Sequence, residues 1–101
     1  MGMKREEILD TAKQIVTTDR NAQYGEPEDN FEVIAECWST YLSQRNGGRA
    51  VLLTPMDVAL MMVLFKLGRL TTARAVTLDS FVDAAGYVAC AGEIATDMEI
   101  D

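Results

Sequence analysis

Lys66 and Arg69 stand three residues apart, a spacing that puts both cations on one face of a helix. Two readings of that pair stay open. The cations offset the negative end of the helix dipole and lay their stems along apolar surface, or they form a clamp for phosphate, with arginine binding bidentately. Asp79, Asp83 and Tyr87 follow at intervals of four, again one face. Asp83 there can pair with Lys66 or Arg69 across a helix interface, or join Asp79 in holding Mg²⁺, which takes one or two carboxylates plus substrate oxygens. Glu6, Glu7 and Asp10 give a second acidic group near the start, read as a solvated face unless it converges with Asp79 and Asp83. Between them lies a loop, Arg20 to Asn30, in which Arg20, Asn21, Tyr24 and Asn30 offer a cation, two amides and an aromatic ring. It is either a turn anchored by tyrosine or a binding loop, because loops carry binding residues disproportionately.

The elements that must position these residues are all helical. Lys4 to Val16 places Ile8, Leu9, Ala12, Ile15 and Val16 on one face, with Glu6 and Glu7 at the dipole's positive end. The polar cluster Thr17 to Asn21 stops it. Pro27 opens a second helix that runs to about Ser43, where Phe31, Ile34, Ala35, Trp38 and Leu42 form the apolar stripe. Asn46-Gly47-Gly48-Arg49 is a flexible connector. In Thr54-Pro55-Met56-Asp57, Thr54 is the N-cap, Pro55 the first helical residue and Asp57 closes a capping box. The third helix extends from there to Leu70 and is apolar nearly all round, which predicts a central buried element. Thr71 to Leu78 connects to a fourth helix, Ser80 to about Met98, capped by Asp79 or Thr77. Phe81, Val82, Ala85, Val88, Ala89 and Ile94 are expected inside it. Gly86 and Gly92, with Ala84, Ala85, Ala89 and Ala91, give that helix a small-residue face for close approach. The expectation is an all-α fold, a compact bundle of four helices in a single domain over residues 1–101.

Bulk composition narrows the chemistry. The 101 residues carry a formal net charge of −7 and no histidine. Few cations argue against binding duplex nucleic acid, and the missing histidines exclude His-based zinc sites and Ser-His-Asp catalysis. Cys37 and Cys90 lie in apolar helical runs without a CxxC pair, hence reduced, buried thiols and a cytoplasmic setting. Charge interrupts the first apolar stretch, so no signal peptide is expected. The run Val58 to Phe65 is too short for a bilayer, and no membrane partner is expected. Met1-Gly2-Met3 reads as a cloning remnant before a native start at Met3. A domain of this size gains only marginal stability from its own core, so a homo-oligomer is expected.

Read in order, Arg20-x-x-x-Tyr24-Gly25-x-Pro27-x-x-Asn30, Trp38, Leu53-Thr54-Pro55-x-Asp57-Val58-Ala59, Lys66-x-x-Arg69 and Asp79-Ser80-x-x-Asp83-x-x-Gly86-Tyr87 resemble a family of short phage and prophage proteins grouped under a domain of unknown function. The resemblance covers about Met3 to Glu93. More loosely, the chain is similar to nucleotide modification associated domain 1, which has an early Tyr-Gly, a Lys/Arg helix and a late aspartate-to-tyrosine helix. It is more distantly similar to MazG-type all-α nucleoside triphosphate pyrophosphohydrolases, which hold Mg²⁺ with EExxE and ExxD stretches. Here those become Glu6-Glu7-Ile8-Leu9-Asp10 and Asp79-x-x-x-Asp83.

These resemblances imply a phage origin and a small phosphorylated nucleotide as ligand. The leading expectation is an oligomeric helical protein that sequesters a nucleotide signal or serves the nucleotide pool, with no cofactor. Lys66 and Arg69 meet phosphate, Arg20 assists, Tyr24 stacks on the base and Asn30 adds an amide. Asp83 orients the cations and Tyr87 donates a hydrogen bond. One alternative is Mg²⁺-dependent hydrolysis of a nucleoside triphosphate, with Glu7, Asp10, Asp79 and Asp83 holding the metal. Another is a structural or interaction protein without ligand, in which the same polar residues lock the bundle.

Overall fold

The computed structural model describes residues 2–19, 26–75 and 77–98. Arg20, Asn21, Tyr24 and Gly25 therefore lie outside the described residues. The fold is all-α: α1 (Arg5–Gln14), a π-helical segment (Ile15–Asp19), α2 (Pro27–Arg45), α3 (Pro55–Thr72) and α4 (Leu78–Met98), with no strand among the described residues. The α3–α4 hairpin forms the centre, α2 packing mainly on α3 and α1 on α4. No helix among the described residues is long and apolar enough to cross a membrane.

α1 opens with the Glu7 Oε1 atom accepting the Lys4 backbone N–H at 3.2 Å. Its regular turns stop at Gln14, two residues short of Val16, and the chain widens into the π-helical segment. Side-chain hydroxyls explain part of this. Thr17 donates to the Lys13 carbonyl at 2.6 Å and Thr18 to the Gln14 carbonyl, bonds that compete with the helical ladder and bend it.

α2 starts on Pro27 and runs two residues past Ser43, with Phe31 and Ala35 buried as expected. It ends in a Schellman turn: Gly47 has φ of 67°, and the Gly48 N–H reaches the Ser43 carbonyl at 2.9 Å. The connector that follows is pinned along α2. Ser43 Oγ accepts the Val51 N–H and Ser39 Oγ the Leu53 N–H, each at 2.8 Å.

The capping box of α3 forms as read: Thr54 Oγ1 accepts the Asp57 N–H at 3.2 Å, and Asp57 Oδ2 accepts the Thr54 N–H at 2.9 Å. Replacing Thr54 by alanine removes one of these and is expected to cost about 1 kcal/mol. For a domain of this size that lowers Tm by roughly 4–8 °C, measurable by calorimetry, whereas Thr40→Ala on exposed α2 surface should leave Tm nearly unchanged.

Three packing expectations need correction. α3 is not buried all round: Val58 and Ala59 are fully enclosed, but Leu60, Met61, Leu64, Phe65 and Leu67 are exposed. On α4, Phe81, Val88 and Ala89 are exposed rather than inside. Cys90 is buried, but Cys37 is exposed. α4 also begins earlier than expected. Leu78 is its first residue, Ser80 N–H reaches the Thr77 carbonyl at 3.3 Å, and Asp79 sits in the first turn instead of capping it.

The core joins α2, α3 and α4 through Phe31, Ala35, Val58, Ala59, Cys90, Ala91 and Ile94, with Trp38, Met56 and Tyr87 packed against it. The π-helical segment that follows α1 is seated on α4 by a close approach. A Cβ added to Gly86 would stand 2.9 Å from Val16 Cγ1, so only glycine fits there without something shifting.

Candidate functional site

Of the residues singled out by spacing, the hairpin brings Lys66 and Asp83 into direct contact, Nζ to Oδ2, at 2.9 Å. Lys66 sits on the α3 face that meets α4, and Asp83 lies one turn into α4, so antiparallel packing aligns them. Their side chains are 17% and 26% exposed, sheltered enough that neither charge is free to wander. Arg69 is exposed on the next turn. Phe65 links the two cations: Lys66 Nζ lies 5.7 Å and Arg69 Cζ 5.6 Å from its ring centroid, within cation–π range.

Tyr87, one turn beyond Asp83, is half-buried, its ring centroid 6.0 Å from that of Phe31 at a tilt of 33°. Asn30, beside Phe31, is half-buried in the first turn of α2. Lys66 and Asp83 thus pair at the α3–α4 seam, with Arg69 joined to Lys66 through Phe65, while Tyr87 packs against the core and Asn30 lies apart in the first turn of α2. Arg20 and Tyr24 fall outside the described residues.

The acidic set behaves differently. Glu7 is engaged with the Lys4 N–H at the start of α1, Asp10 and Asp79 are exposed, and Asp83 faces Lys66. Among the described residues, no three acidic or thiol side chains come close enough to hold a metal ion. The convergence that Mg²⁺-dependent hydrolysis requires of Glu7, Asp10, Asp79 and Asp83 is therefore not met by the described residues.

A cleft of about 590 Å³ lies elsewhere, between α1, the start of α2 and α4. Small residues make it: Ala12 on one wall, Ala85, Gly86 and Ala89 on the other, with Lys13, Glu26 and Glu93 bringing charge to it. Sequence reading identified the small-residue face of α4 but not the cleft, nor the polar residues of its wall. None of Lys66, Arg69 and Asp83 lines it.

Comparison with known proteins places this arrangement in a phage context. The chain is 36% identical over 89 residues to the Gene 55 protein of Mycobacterium phage D29, an alignment covering 88% of this chain and 54% of that protein. It is 40% identical over 80 residues to the Gene 55 protein of Mycobacterium phage L5, covering 79% and 47% respectively. The chain thus spans about half the length of these curated relatives. No solved structure matches it. A family model described as a domain of unknown function, DUF6378, matches residues 7–95, which takes in α2, α3, nearly all of α4 and the Lys66–Asp83 seam: the chain belongs to the DUF6378 family.

Proposed function

We propose that this chain is a phage-type helical protein that binds the phosphate of a small nucleotide through Lys66 and Arg69, acting in the cytoplasm of a bacterial host. The observation that carries the reading is the pre-arranged cation pair. Phe65 stands beside both cations, and Asp83 fixes Lys66 at 2.9 Å. Fixing a long side chain before binding removes part of the entropy that binding otherwise costs. Arg69, exposed, is the group with room for bidentate contact to phosphate oxygens. Tyr87 packs against the core one turn beyond Asp83, and Thr17 and Glu26 flank in sequence the stretch that carries Arg20 and Tyr24. Sequestration of a nucleotide signal or service to the nucleotide pool fits binding without a metal centre.

A specific observation also favours the plain structural alternative. A half-sheltered ion pair across the two most intimately packed helices braces a bundle whether or not a ligand exists.

One experiment separates the two. Purified protein is incubated with nucleoside triphosphates and cyclic nucleotides, with and without Mg²⁺, and Tm and products are read together. At a hundredfold excess over Kd, binding stabilises by about 2.7 kcal/mol, a rise in Tm of roughly 10 °C or more. Arg69→Ala is expected to abolish that rise while leaving the ligand-free Tm unchanged. No shift across the whole panel overturns the nucleotide reading and leaves the brace; release of phosphate or pyrophosphate instead establishes hydrolysis.

A further inference from the structure

Among the described residues, no element covers the outer face of α3. Leu60, Leu64 and Leu67 recur at intervals of four and three and are 44%, 66% and 45% exposed, with Met61 and Phe65 beside them. That spacing is the apolar seam of paired helices, and such residues left in water form a patch of the kind that marks an interaction site. From Val58 to Phe65 the helix carries no charge at all.

The size of the exposed surface points the same way. The chain exposes 7509 Å², against roughly 5,700 Å² for a folded monomer of 11.1 kDa. Its radius of gyration is 15.3 Å, where a closed domain of this length has about 13 Å. The excess is on the order of 1,800 Å² over the whole chain, and the ~800 Å² that each partner gives a standard interface would account for part of it.

We infer that the outer face of α3 is a homodimer interface, in which a second copy of this chain lays its own α3 antiparallel across Leu60, Leu64 and Leu67. Two arguments select a second copy. An isologous two-fold contact needs one patch complementary to itself, and an uncharged apolar stripe is that. Each copy also carries a net charge of −7, so two copies repel least where they meet without carboxylates; between Leu60 and Arg69 α3 has none. Antiparallel pairing further sets each helix dipole against its opposite. Leu64, the middle residue of the three, lies next to the two-fold axis and meets its own counterpart. The inference does not rest on nucleotide binding, although Phe65, beside the stripe, also stands beside Lys66 and Arg69.

Sedimentation velocity on the full chain tests it, at high micromolar protein and physiological salt. The expected mass is twice 11.1 kDa. Leu64→Glu is expected to halve it with the helical circular dichroism retained, while Tyr41→Glu, on the exposed surface of α2, leaves the dimer intact. Should Leu64→Glu fail to fold, Leu64→Cys in a Cys37→Ser background decides the matter. Mild oxidation is expected to link it to itself, giving a dimer on a non-reducing gel. A wild-type chain that sediments as a monomer overturns the inference. So does a dimer that survives Leu64→Glu, or one that Leu64→Cys does not cross-link.

Discussion

Replacing Phe31 with alanine is expected to cost about 3–5 kcal/mol, the range for truncating a buried aromatic side chain. Phe31 is 4% exposed and belongs to the cluster that joins α2 to α3 and α4, so nothing else can fill its place without moving a helix. It also packs beside Tyr87 at 6.0 Å between ring centroids, a contact worth about 0.5–1.5 kcal/mol beyond the area it buries. A domain of this size has roughly 5–15 kcal/mol of stability in all. The substitution therefore removes a large fraction of it, and loosens Tyr87 and the neighbouring Asp83 turn as well. Urea unfolding followed by circular dichroism, at fixed protein concentration, measures the loss. Val33→Ala on the same helix, at an exposed position, is the control and should change stability by no more than about 0.5 kcal/mol. Equal midpoints for the two variants would mean that α2 is not packed through Phe31.

Much of this fold was legible because local signals and the global arrangement agree. Thr54-Pro55-x-Asp57 encodes a helix start in four residues, and both hydrogen bonds of its box form. The stripe from Phe31 to Leu42 runs at helical period and faces the core. Where the reading failed, the deciding contact was distant in sequence, or the described residues leave an apolar face uncovered. Val16 belongs to a regular periodic pattern, yet the backbone around it is π-helical, and its side chain is lodged against Gly86, seventy residues away. The continuous apolar run of α3 says that water must be excluded from it but cannot say by what. Leu60, Leu64 and Phe65 are exposed, and an apolar run carries the same hydrophobic signature whether or not the fold itself covers it.

The candidate site divides along the same line. Lys66 and Asp83 were readable as a pair because an antiparallel hairpin brings the end of α3 beside the start of α4. The role of Phe65 was not readable: its position in an apolar run gave no reason to single it out, and only the side-chain geometry shows it standing beside both cations. The acidic residues misled for a related reason. A carboxylate in the first turn of a helix has local work to do, and Glu7 does it at the Lys4 N–H. Spacing along a chain gives a shared face, whereas metal binding needs faces from several helices to converge.

Gly86→Ala and Gly92→Ala are expected to move stability in opposite directions, although the two glycines lie six residues apart on one helix. Alanine is favoured over glycine in a helix by about 1 kcal/mol. At Gly92 nothing lies within 4 Å of the added methyl, so that gain should be realised nearly in full. At Gly86 the methyl would meet Val16 Cγ1 at 2.9 Å. Valine is branched at Cβ and stiff about χ1, so relief requires an unfavourable rotamer or a shift of the π-helical segment away from α4. Overpacking of this kind typically costs about 1–3 kcal/mol, which outweighs the propensity gain and leaves a net loss of up to about 2 kcal/mol. Val16→Ala introduced with Gly86→Ala removes the colliding atom, and the double variant should recover most of that loss. Thermal unfolding of the four chains gives the comparison directly. Equal stabilisation by both alanines would show that the π-helical segment is not held against α4 at Val16, and the cleft of about 590 Å³ that these two residues help to line would lose its wall.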